Sequence, residues 1–383
     1  MKLAQIADIH LGLNYPGPTP ESRFDDITRV MDWSADVMIQ EKCELVLVAG
    51  DMFKDARVFL DRASREITAA AAWIRKLTSA SISVVIISGT PSHDAISAYE
   101  LLKEMRIPGC QIATTVKIIN AKGLRIACLP GMNRGAWASR EEYKHLPPQE
   151  IHQLMTKNIT DLCQSMTQSS KVLMAHLTYD MADKGFEDVL MQHEPVLTQE
   201  AVHGYDLVCL GHIHRPQQNG PVFYCGSPER LTFNDEDITP GFWIYDYEGC
   251  IPESHFIKTP ARKFTTWKWT EQDIELFIST GIAHGSRIDG DIVRLFYDCP
   301  EALYKQLNRK ALEKALYDRG AFFVTEITGS AIEGVRDREQ EVTNAMDPIE
   351  ALQKWCDQPD IKIPPEELPH LLAMAGELLR GAE

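Results

Sequence analysis

The chain has 383 residues, of which 44% are hydrophobic, and it carries a formal net charge of −16 at pH 7. Its length predicts one large domain with one or two smaller units. The negative charge argues against a generally basic nucleic-acid binder, so any contact with a nucleic acid has to be local. No apolar run approaches the ~18 residues that a membrane span needs.

The N-terminal part of the chain alternates apolar runs with helical patterns. Strands are predicted at residues 2–7, 45–49 and 84–88, and helices over 21–41 and 57–79. This order and spacing predict a βαβαβ unit, so the first half of the chain is expected to be a doubly wound α/β structure.

The following stretch predicts a hairpin and a second set of strands. Residues 115–120 and 124–129 are rich in β-formers and flank a turn at 121–123. A long helix is predicted over 148–168. Later strands are predicted at 171–175, 207–210, 221–225 and 242–247.

Five of these apolar runs end in aspartate, histidine or both. In an extended segment the side chains at i and i+2 point the same way, so Asp8-x-His10 and His212-x-His214 can each reach one site. An isolated pair of this kind is more often two surface histidines, but parallel strands gather ligands at their carboxyl ends. Five such coincidences therefore predict a metal site. The candidate metal ligands are Asp8, His10, Asp51, Ser92, His176, His212 and His214, and His93 and Asp94 lie beside Ser92.

The ordered set of these residues resembles the calcineurin-like metallophosphoesterases. The stretch Gly226-Ser227-Pro228-Glu229-Arg230 is similar to the SbcD/Mre-eleven type of DNA repair nuclease within that superfamily. The resemblance implies an α/β sandwich of two mixed β-sheets flanked by helices, with a small α+β capping domain and C-terminal helices. It covers residues 1–245 well and the remainder by layout.

The same resemblance implies two divalent metal ions with Asp51 as the shared ligand. Metal one takes Asp8, His10, Asp51 and His214; metal two takes Asp51, His176, His212 and a residue of the 90–92 turn. Carboxylate and imidazole ligands together suit Mn²⁺, Fe²⁺ or Zn²⁺ better than Mg²⁺ or Ca²⁺, and Mn²⁺ is the expected ion.

The resemblance also implies that His93 and Asp94 are the catalytic residues, with His93 facing the scissile phosphate as a protonated donor. Two departures from the family pattern bear on the rate. The turn from Gly89 to Asp94 is two residues longer than usual and has Ser92 where the family has asparagine, and Lys54 replaces a frequent histidine. The candidate substrate-binding residues are Lys54, Ser227, Arg230, Lys263 and Lys268.

Basic residues alternate with aromatic ones past residue 250. They favour either a strand that meets DNA or a half-buried strand with solvated charges. The residues concerned are Lys258, Arg262, Lys263, Phe264, Trp267, Lys268 and Trp269. A helix at 271–279, a strand at 292–297, a helix at 301–318 and a strand at 321–327 complete this unit.

Two short helices are predicted after a polar linker. Asp347-Pro348-Ile349-Glu350 has a helix-start signature, and a second apolar-faced helix ends near Arg380. These helices either dock on their own chain or, as the resemblance implies, grip an SbcC-type coiled-coil ATPase. The expected domains are 1–250 (nuclease), 251–332 (capping and DNA binding) and 333–383 (linker and partner helices).

The resemblance implies a metal-dependent DNA exonuclease or endonuclease that processes duplex ends and single strands, as a homodimer with the ATPase. A small-molecule or protein phosphoesterase, and a catalytically weakened DNA-end-binding or ATPase-regulating subunit, remain open alternatives. Nine cysteines without a Cys-x-x-Cys pair favour reduced thiols. Because residue 2 already begins a strand, no signal peptide is expected. We therefore expect a cytoplasmic, nucleoid-associated protein that does not enter a membrane.

Overall fold

The computed structural model describes residues 1–54, 64–92, 94–132, 134–185, 195–332, 347–356, 363–364 and 367–380. None of the helices in these ranges has both the length and the apolar character that crossing a bilayer requires. The chain divides into two compact units. The larger contains residues 1–268, 280–296 and 308–328, and the smaller contains 269–279, 297–307 and 329–383.

The elements are as follows. In chain order the strands are β1 (Lys2–Ile6), β2 (Leu45–Ala49), β3 (Ser83–Ile87), β4 (Cys110–Ala113), β5 (Lys117–Ala121), β6 (Leu124–Leu129), β7 (Val172–His176), β8 (Thr178–Tyr179), β9 (Val196–Leu197), β10 (Leu207–Gly211), β11 (Gln217–Asn219), β12 (Val222–Tyr224), β13 (Gly241–Asp246), β14 (Glu253–Lys258), β15 (Phe264–Trp269), β16 (Ile292–Pro300) and β17 (Phe323–Ile332). The α-helices are Pro20–Gln40, Ser64–Ser79, Ile96–Glu104, Arg134–Ala138, Pro148–Thr167, Gln199–Val202, Glu271–Thr280, Glu301–Tyr304, Arg309–Asp318, Pro348–Cys356 and Leu368–Arg380.

Two six-stranded mixed sheets form the larger unit. The first has the order β14-β13-β1-β2-β3-β4 and the second the order β11-β12-β10-β7-β6-β5. The strands β1 to β4 pair in parallel, as do β6, β7, β10 and β12, whereas the outer strands pair antiparallel. Strand β2, at the centre of the first sheet, is an unbroken apolar run whose five residues are all buried, because both of its faces are covered.

The hydrophobic core lies in three layers that follow from this order. Residues such as Leu47, Val85 and Phe223 pack together between the two sheets. The helices Pro20–Gln40 and Ser64–Ser79 cover the outer face of the first sheet, and helix Pro148–Thr167 covers that of the second. The predicted α/β fold with two mixed sheets flanked by helices is therefore confirmed.

Most predicted elements of the larger unit are present, with shifted ends. The hairpin forms as antiparallel β5 and β6, with Ala121 opposite Leu124. The helix predicted over 57–79 is described from Ser64 onward, and its residues 57–63 lie outside the described part. Helix Ile96–Glu104 and strands β4 and β14 were not predicted, because their short apolar patterns are weak signals.

The prediction of a single helix over 301–318 is wrong. The structure has helices Glu301–Tyr304 and Arg309–Asp318 instead. The break is at Asn308, whose side chain accepts hydrogen bonds from the backbone N–H groups of Lys310 and Ala311 and so begins the second helix.

The third sheet has the order β15-β16-β17, and it decides between the two interpretations of the aromatic residues. Phe264, Trp267 and Trp269 are all buried, whereas Lys263 and Lys268 are exposed. The indole N–H of Trp267 donates to Ser286 at 3.1 Å. The rings are therefore part of the protein interior, and a strand with buried aromatics and solvated charges is the arrangement observed.

The helix-start signature predicted at residues 347–350, in the smaller unit, is confirmed. A carboxylate oxygen of Asp347 accepts from the backbone N–H groups of Ile349 and Glu350, at 2.8 and 3.3 Å. Helix Pro348–Cys356 begins there, and Leu368–Arg380 follows it. The predicted linker, residues 333–343, lies outside the described residues.

Candidate metal centre

The carboxyl ends of strands from both sheets deliver the candidate ligands. Asp8 and Asp51 each lie two residues beyond β1 and β2. His176 is the last residue of β7, and His212 directly follows β10. Because parallel strands end at the same edge of a sheet, residues distant in sequence meet there.

The loops after β1 and β2 continue the parallel pairing beyond the sheet. The backbone N–H of Asp8 donates to the carbonyl of Gly50 at 3.1 Å, and that of His10 donates to the carbonyl of Asp51 at 3.0 Å. Leu11 then forms an isolated parallel bridge with Phe53. These bonds fix the relative positions of the first two motif loops.

Four of the candidate ligands have backbone conformations that non-glycine residues rarely adopt. The φ angles are +52° at Asp8, +52° at His10, +47° at Asp51 and +98° at His212. Such conformations cost of order 1–3 kcal/mol each and persist where surrounding contacts enforce them, most often at functional sites. Their concentration here marks this sheet edge as the functional centre.

Two glycines let the backbone come close to the ligands. Gly50 has a φ of +96°, and a Cβ there would collide with the imidazole of His176. A Cβ at Gly89 would overlap a carboxylate oxygen of Asp51. The Gly-Asp and Gly-Thr sequences at these turns therefore reflect close packing around Asp51.

Asp51 lies between two groups of histidines. Its Oδ2 is 3.7 Å from Nε2 of His10, and its Oδ1 is 3.3 Å from Nε2 of His176. The ring of His214 lies 5.4 Å from that of His10, and the ring of His212 lies 5.2 Å from that of His176. One carboxylate thus faces two sets of imidazoles, one on each side.

Among the residues that the structure describes, two triads of donor atoms are close enough to hold a metal ion. They are Asp8 with His10 and His214, and Asp8 with Asp51 and His176, and the ligand atoms in each triad lie within 4.8 Å of one another. Asp8 belongs to both triads, although the expected ligand set of metal two did not include it. Carboxylate and imidazole donors together fit divalent transition-metal ions.

The charges of the centre favour a cation. Asp8 and Asp51 are buried, with 0% and 2% exposure. Burial raises the pKa of Asp8, and the charge of Asp51 raises it further, against the opposing effect of His176 and His214. Burial alone would lower the pKa of His176, but the charges of Asp51 and Asp8 raise it to about 10. Two buried carboxylates need positive charge beside them.

In two of the histidines, the Nδ1 atom contacts a further group that orients the imidazole ring. Nδ1 of His176 lies 2.8 Å from the carbonyl oxygen of Ala49 and donates to it, which directs Nε2 at Asp51. Nδ1 of His214 lies 3.6 Å from Oδ1 of Asp235, a buried residue. The other oxygen of Asp235 accepts from the backbone N–H groups of Leu231 and Thr232, at 2.9 and 3.0 Å.

The electrostatic balance at Asp235 supports this pairing. Burial would raise the pKa of Asp235, but the neighbouring His214 and the backbone N–H donors lower it. Asp235 was not among the residues predicted from the sequence. The capping box that it forms with Thr232 is the one signal that could have drawn attention to it.

The residues of the turn after β3 differ in their burial. Thr90 is buried, and its backbone N–H donates to Oδ1 of Asp51 at 3.0 Å, whereas Ser92 is exposed. His93 lies outside the described residues. Lys54 is half-buried, and its backbone N–H donates to the carbonyl of Leu11.

Three other predicted site residues have structural contacts. Asp94 is fully buried and accepts backbone hydrogen bonds from Phe53 and Gly89. The hydroxyl of Ser227 donates to the carbonyl of Asp8 at 2.8 Å. The guanidinium of Arg230 donates to backbone carbonyls, among them that of Ile238 at 2.9 Å. These contacts favour support of the centre over direct contact with a substrate.

The remaining two, Lys263 and Lys268, lie outside the two triads. Both side chains are exposed. Their position at the start and near the end of β15 leaves them available to an anionic ligand, and their assignment as substrate-binding residues stays a prediction.

Comparison with known proteins identifies the class. The family described as Calcineurin-like phosphoesterase matches residues 1–216, which is more than half of the chain, and the chain belongs to that family. It is therefore a metallophosphoesterase, a hydrolase of phosphoester bonds with donor clusters suited to metal ions.

Among curated proteins, the DNA double-strand break repair protein Mre11 of Aeropyrum pernix is 26% identical over 279 residues. The aligned part covers 68% of this chain but 61% of that protein, so it spans less than two thirds of the relative.

Solved structures with a similar arrangement include GAP50, described as the anchor in the inner membrane complex of Plasmodium. It is 11% identical, covers 67% of this chain and 84% of its own, and has a TM-score of 0.37. A dimetal phosphatase from Danio rerio is 13% identical, covers 67% and 98%, and has a TM-score of 0.36.

Proposed function

We propose that this protein is a two-metal-dependent DNA nuclease that processes DNA ends. The observation that carries the proposal is the position of Asp51, whose two carboxylate oxygens face His10 on one side and His176 on the other. A shared carboxylate between two ligand sets is what a dinuclear site for phosphodiester cleavage requires.

The proposed ligands divide into two sets around Asp51. Asp8, His10 and His214 would hold one ion, with Asp8 close enough to contribute to both sites. His176, and His212 whose ring lies beside it, would hold the other. Two ions held by these residues would supply an activated water and would offset the charge of the phosphate. Thr90 contributes the backbone N–H that fixes Oδ1 of Asp51. The donor set suits Mn²⁺, Fe²⁺ or Zn²⁺, and we propose Mn²⁺ as the physiological ion.

His93 is proposed to complete the centre as the donor to the phosphate. This assignment comes from the resemblance of the 89–94 turn to the family motif. The residue acts on a non-bridging or leaving oxygen, where a positioned donor contributes about 10²–10⁴-fold to the rate. His93 is not proposed as a metal ligand.

DNA as the substrate is supported by the Mre11 relative and by the sequence at 226–230. The net charge of −16 restricts the contact to local groups. Among the predicted substrate-binding residues, Lys263 and Lys268 are exposed, and Lys54 is half-buried beside the Leu11 loop. We propose that these lysines contact the DNA backbone as point charges.

The assembly and location follow from the same resemblance. We propose a nuclease domain over 1–250, a capping domain over 251–332, and a C-terminal segment over 333–383 that binds an SbcC-type coiled-coil ATPase. A homodimer acting in double-strand break repair and recombination, in the cytoplasm near the nucleoid, completes the proposal.

Cleavage assays on four substrates test the reaction. Linear duplex DNA, single-stranded DNA, bis-p-nitrophenyl phosphate and p-nitrophenyl phosphate are incubated with the full chain and Mn²⁺, with His176→Ala as the inactive variant. His255→Ala is the matched control, because His255 is an exposed histidine on β14 that contacts Glu253.

A DNA nuclease cleaves both DNA substrates, loses that activity in His176→Ala and keeps it in His255→Ala. Hydrolysis of the monoester with intact DNA would instead identify a small-molecule or protein phosphatase. DNA binding without hydrolysis of any of the four substrates would identify a catalytically weakened subunit.

A further inference from the structure

A buried tyrosine and a buried aspartate lie directly behind the metal centre, and the proposed reaction does not use either of them. Asp94 and Tyr99, the latter on helix Ile96–Glu104, are both 0% exposed. The hydroxyl of Tyr99 donates to Oδ2 of Asp94 at 2.5 Å. Neither side chain can touch a substrate, so their role has to be exerted through other residues.

This pair binds the backbone of two motif loops. Oδ1 of Asp94 accepts from the N–H of Phe53 at 3.1 Å, and Oδ2 accepts from that of Gly89 at 2.6 Å. The hydroxyl of Tyr99 accepts from the N–H of Met52 at 3.1 Å. The pair thus accepts hydrogen bonds from the backbone N–H groups of the two residues that follow Asp51 and of the residue that precedes Thr90.

Both ends of this network reach Asp51. Met52 and Phe53 fix its backbone from the C-terminal side, and the N–H of Thr90 binds its Oδ1 at 3.0 Å. Inside a protein such charge-assisted hydrogen bonds are strong and directional. Asp94 and Tyr99 therefore act on the direction of the Asp51 carboxylate indirectly, through the residues next to Asp51 and Thr90.

The anchoring also acts on the turn from Gly89 to Asp94, which is long. The turn from Gly89 to Asp94 has two more residues than the family pattern, and it closes on itself through a bond from the N–H of Asp94 to the carbonyl of Thr90 at 2.9 Å. A longer turn has more conformations to lose on folding. Fixing both of its ends on one carboxylate restores a single geometry at Thr90.

We propose that Tyr99 and Asp94 are positioning residues that hold Asp51 in the direction needed to be shared by two metal ions. This inference rests on the proposed two-metal function. It assigns Asp94 a supporting role in place of direct catalysis, and it adds Tyr99, which lies outside every sequence motif considered above.

The test compares Tyr99→Phe with Tyr205→Phe in the full chain. Tyr205 is also buried, and its hydroxyl donates to the carbonyl of Cys163 at 2.8 Å, away from the centre. Mn²⁺ binding is measured by calorimetric titration, and the pairing of the ions by the exchange-coupled signal in electron paramagnetic resonance. Thermal melting of each metal-free variant reports stability.

Loss of a residue that orients a metal ligand typically lowers metal affinity by about 10-fold to 100-fold. We expect a loss of this size for Tyr99→Phe, together with a signal of isolated Mn²⁺ in place of the coupled pair. Tyr205→Phe keeps the wild-type affinity and coupling. Asp94→Asn, which has one acceptor oxygen for three donors, loses the pair as well.

The outcomes separate this inference from the proposed function. Wild-type protein that binds no Mn²⁺ pair contradicts the proposed function itself. Wild-type protein that binds the pair, with Tyr99→Phe and Asp94→Asn binding it equally well, overturns the positioning role alone. An equal loss of affinity in Tyr205→Phe, or a loss explained by unfolding of the variants, also overturns it, because the effect is then one of general stability.

Discussion

The backbone N–H of His212 donates to both carboxylate oxygens of Asp8, at 3.0 and 3.1 Å. The two residues lie 204 positions apart and follow strands of different sheets. This contact joins the first and last motifs of the centre, and it accompanies the unusual φ of +98° at His212. A direct hydrogen bond between two candidate ligands therefore links the loops that follow the two sheets.

Asp235 gives the first prediction, because its Oδ1 lies 3.6 Å from Nδ1 of His214. Replacing Asp235 by Asn removes the charge that orients this imidazole. We expect the affinity for one of two Mn²⁺ ions to fall by about 10-fold to 100-fold, as measured by calorimetric titration. The control is Asp25→Asn at an exposed position of helix Pro20–Gln40. Unchanged affinity in Asp235→Asn would show that His214 needs no such partner.

His93 gives the second prediction. His93→Ala should keep both Mn²⁺ ions, since the residue is proposed to act on the phosphate. Cleavage of linear DNA should fall by about 10²–10⁴-fold, as measured by single-turnover kinetics. His255→Ala again serves as the control histidine. An active His93→Ala enzyme contradicts the role, and loss of metal in that variant would make His93 a ligand.

Glu229, within the 226–230 stretch, gives a prediction about pH. Its carboxylate is 1% exposed and lies 3.9 Å from Arg23, and it accepts from the backbone N–H of Arg262. Burial raises its pKa, against the charge of Arg23, from 4.5 to about 7. The folded protein thus binds this proton more tightly than the unfolded chain does.

The sign of the effect follows from that shift. The stabilisation is fully present below about pH 4.5 and is lost as the pH rises through about 7. Over this interval the free energy of unfolding should fall by up to roughly 3 kcal/mol more in the wild type than in Glu229→Gln. Urea unfolding at several pH values measures it, with Glu44→Gln at an exposed site as the control. Parallel curves for wild type and Glu229→Gln would contradict the prediction.

The C-terminal helix gives the fourth prediction. Leu371, Met374 and Leu378 of helix Leu368–Arg380 are 40%, 49% and 72% exposed. If this apolar surface binds the ATPase, Leu378→Asp should abolish co-purification with a coiled-coil ATPase of the SbcC class. Manganese-dependent cleavage should be unchanged. Ile251→Asp is the control, since Ile251 is 53% exposed. Full retention of the ATPase by Leu378→Asp would remove the basis for this assignment.

The fold and the position of the centre were predictable because their signals are local. An apolar run of five residues defines β2, and one of four residues precedes His176 in β7. The rule that parallel strands gather ligands at their carboxyl ends placed Asp51 and His176 together. The approach of Asp8 to both ligand triads was not predictable, because it depends on how the two sheets pack.

The supporting residues could not be assigned from sequence for the same reason. Ser227 and Asp8 are 219 residues apart, yet the hydroxyl of one binds the carbonyl of the other. Tyr99 contacts Met52 over 47 residues. Alternation in β15 likewise could not say that Phe264 and Trp267 face the interior, since a pattern does not specify which neighbour covers it.

The metal content of Asp51→Ala tests the central claim most directly. Wild type, Asp51→Ala and the exposed-site control Asp25→Ala are loaded with Mn²⁺, dialysed and measured by elemental analysis. We expect two ions per chain in the wild type and in the control, and loss of both in Asp51→Ala, because its two oxygens face His10 and His176. Two ions retained by Asp51→Ala, or none bound by the wild type, would contradict a dinuclear centre organised by this carboxylate.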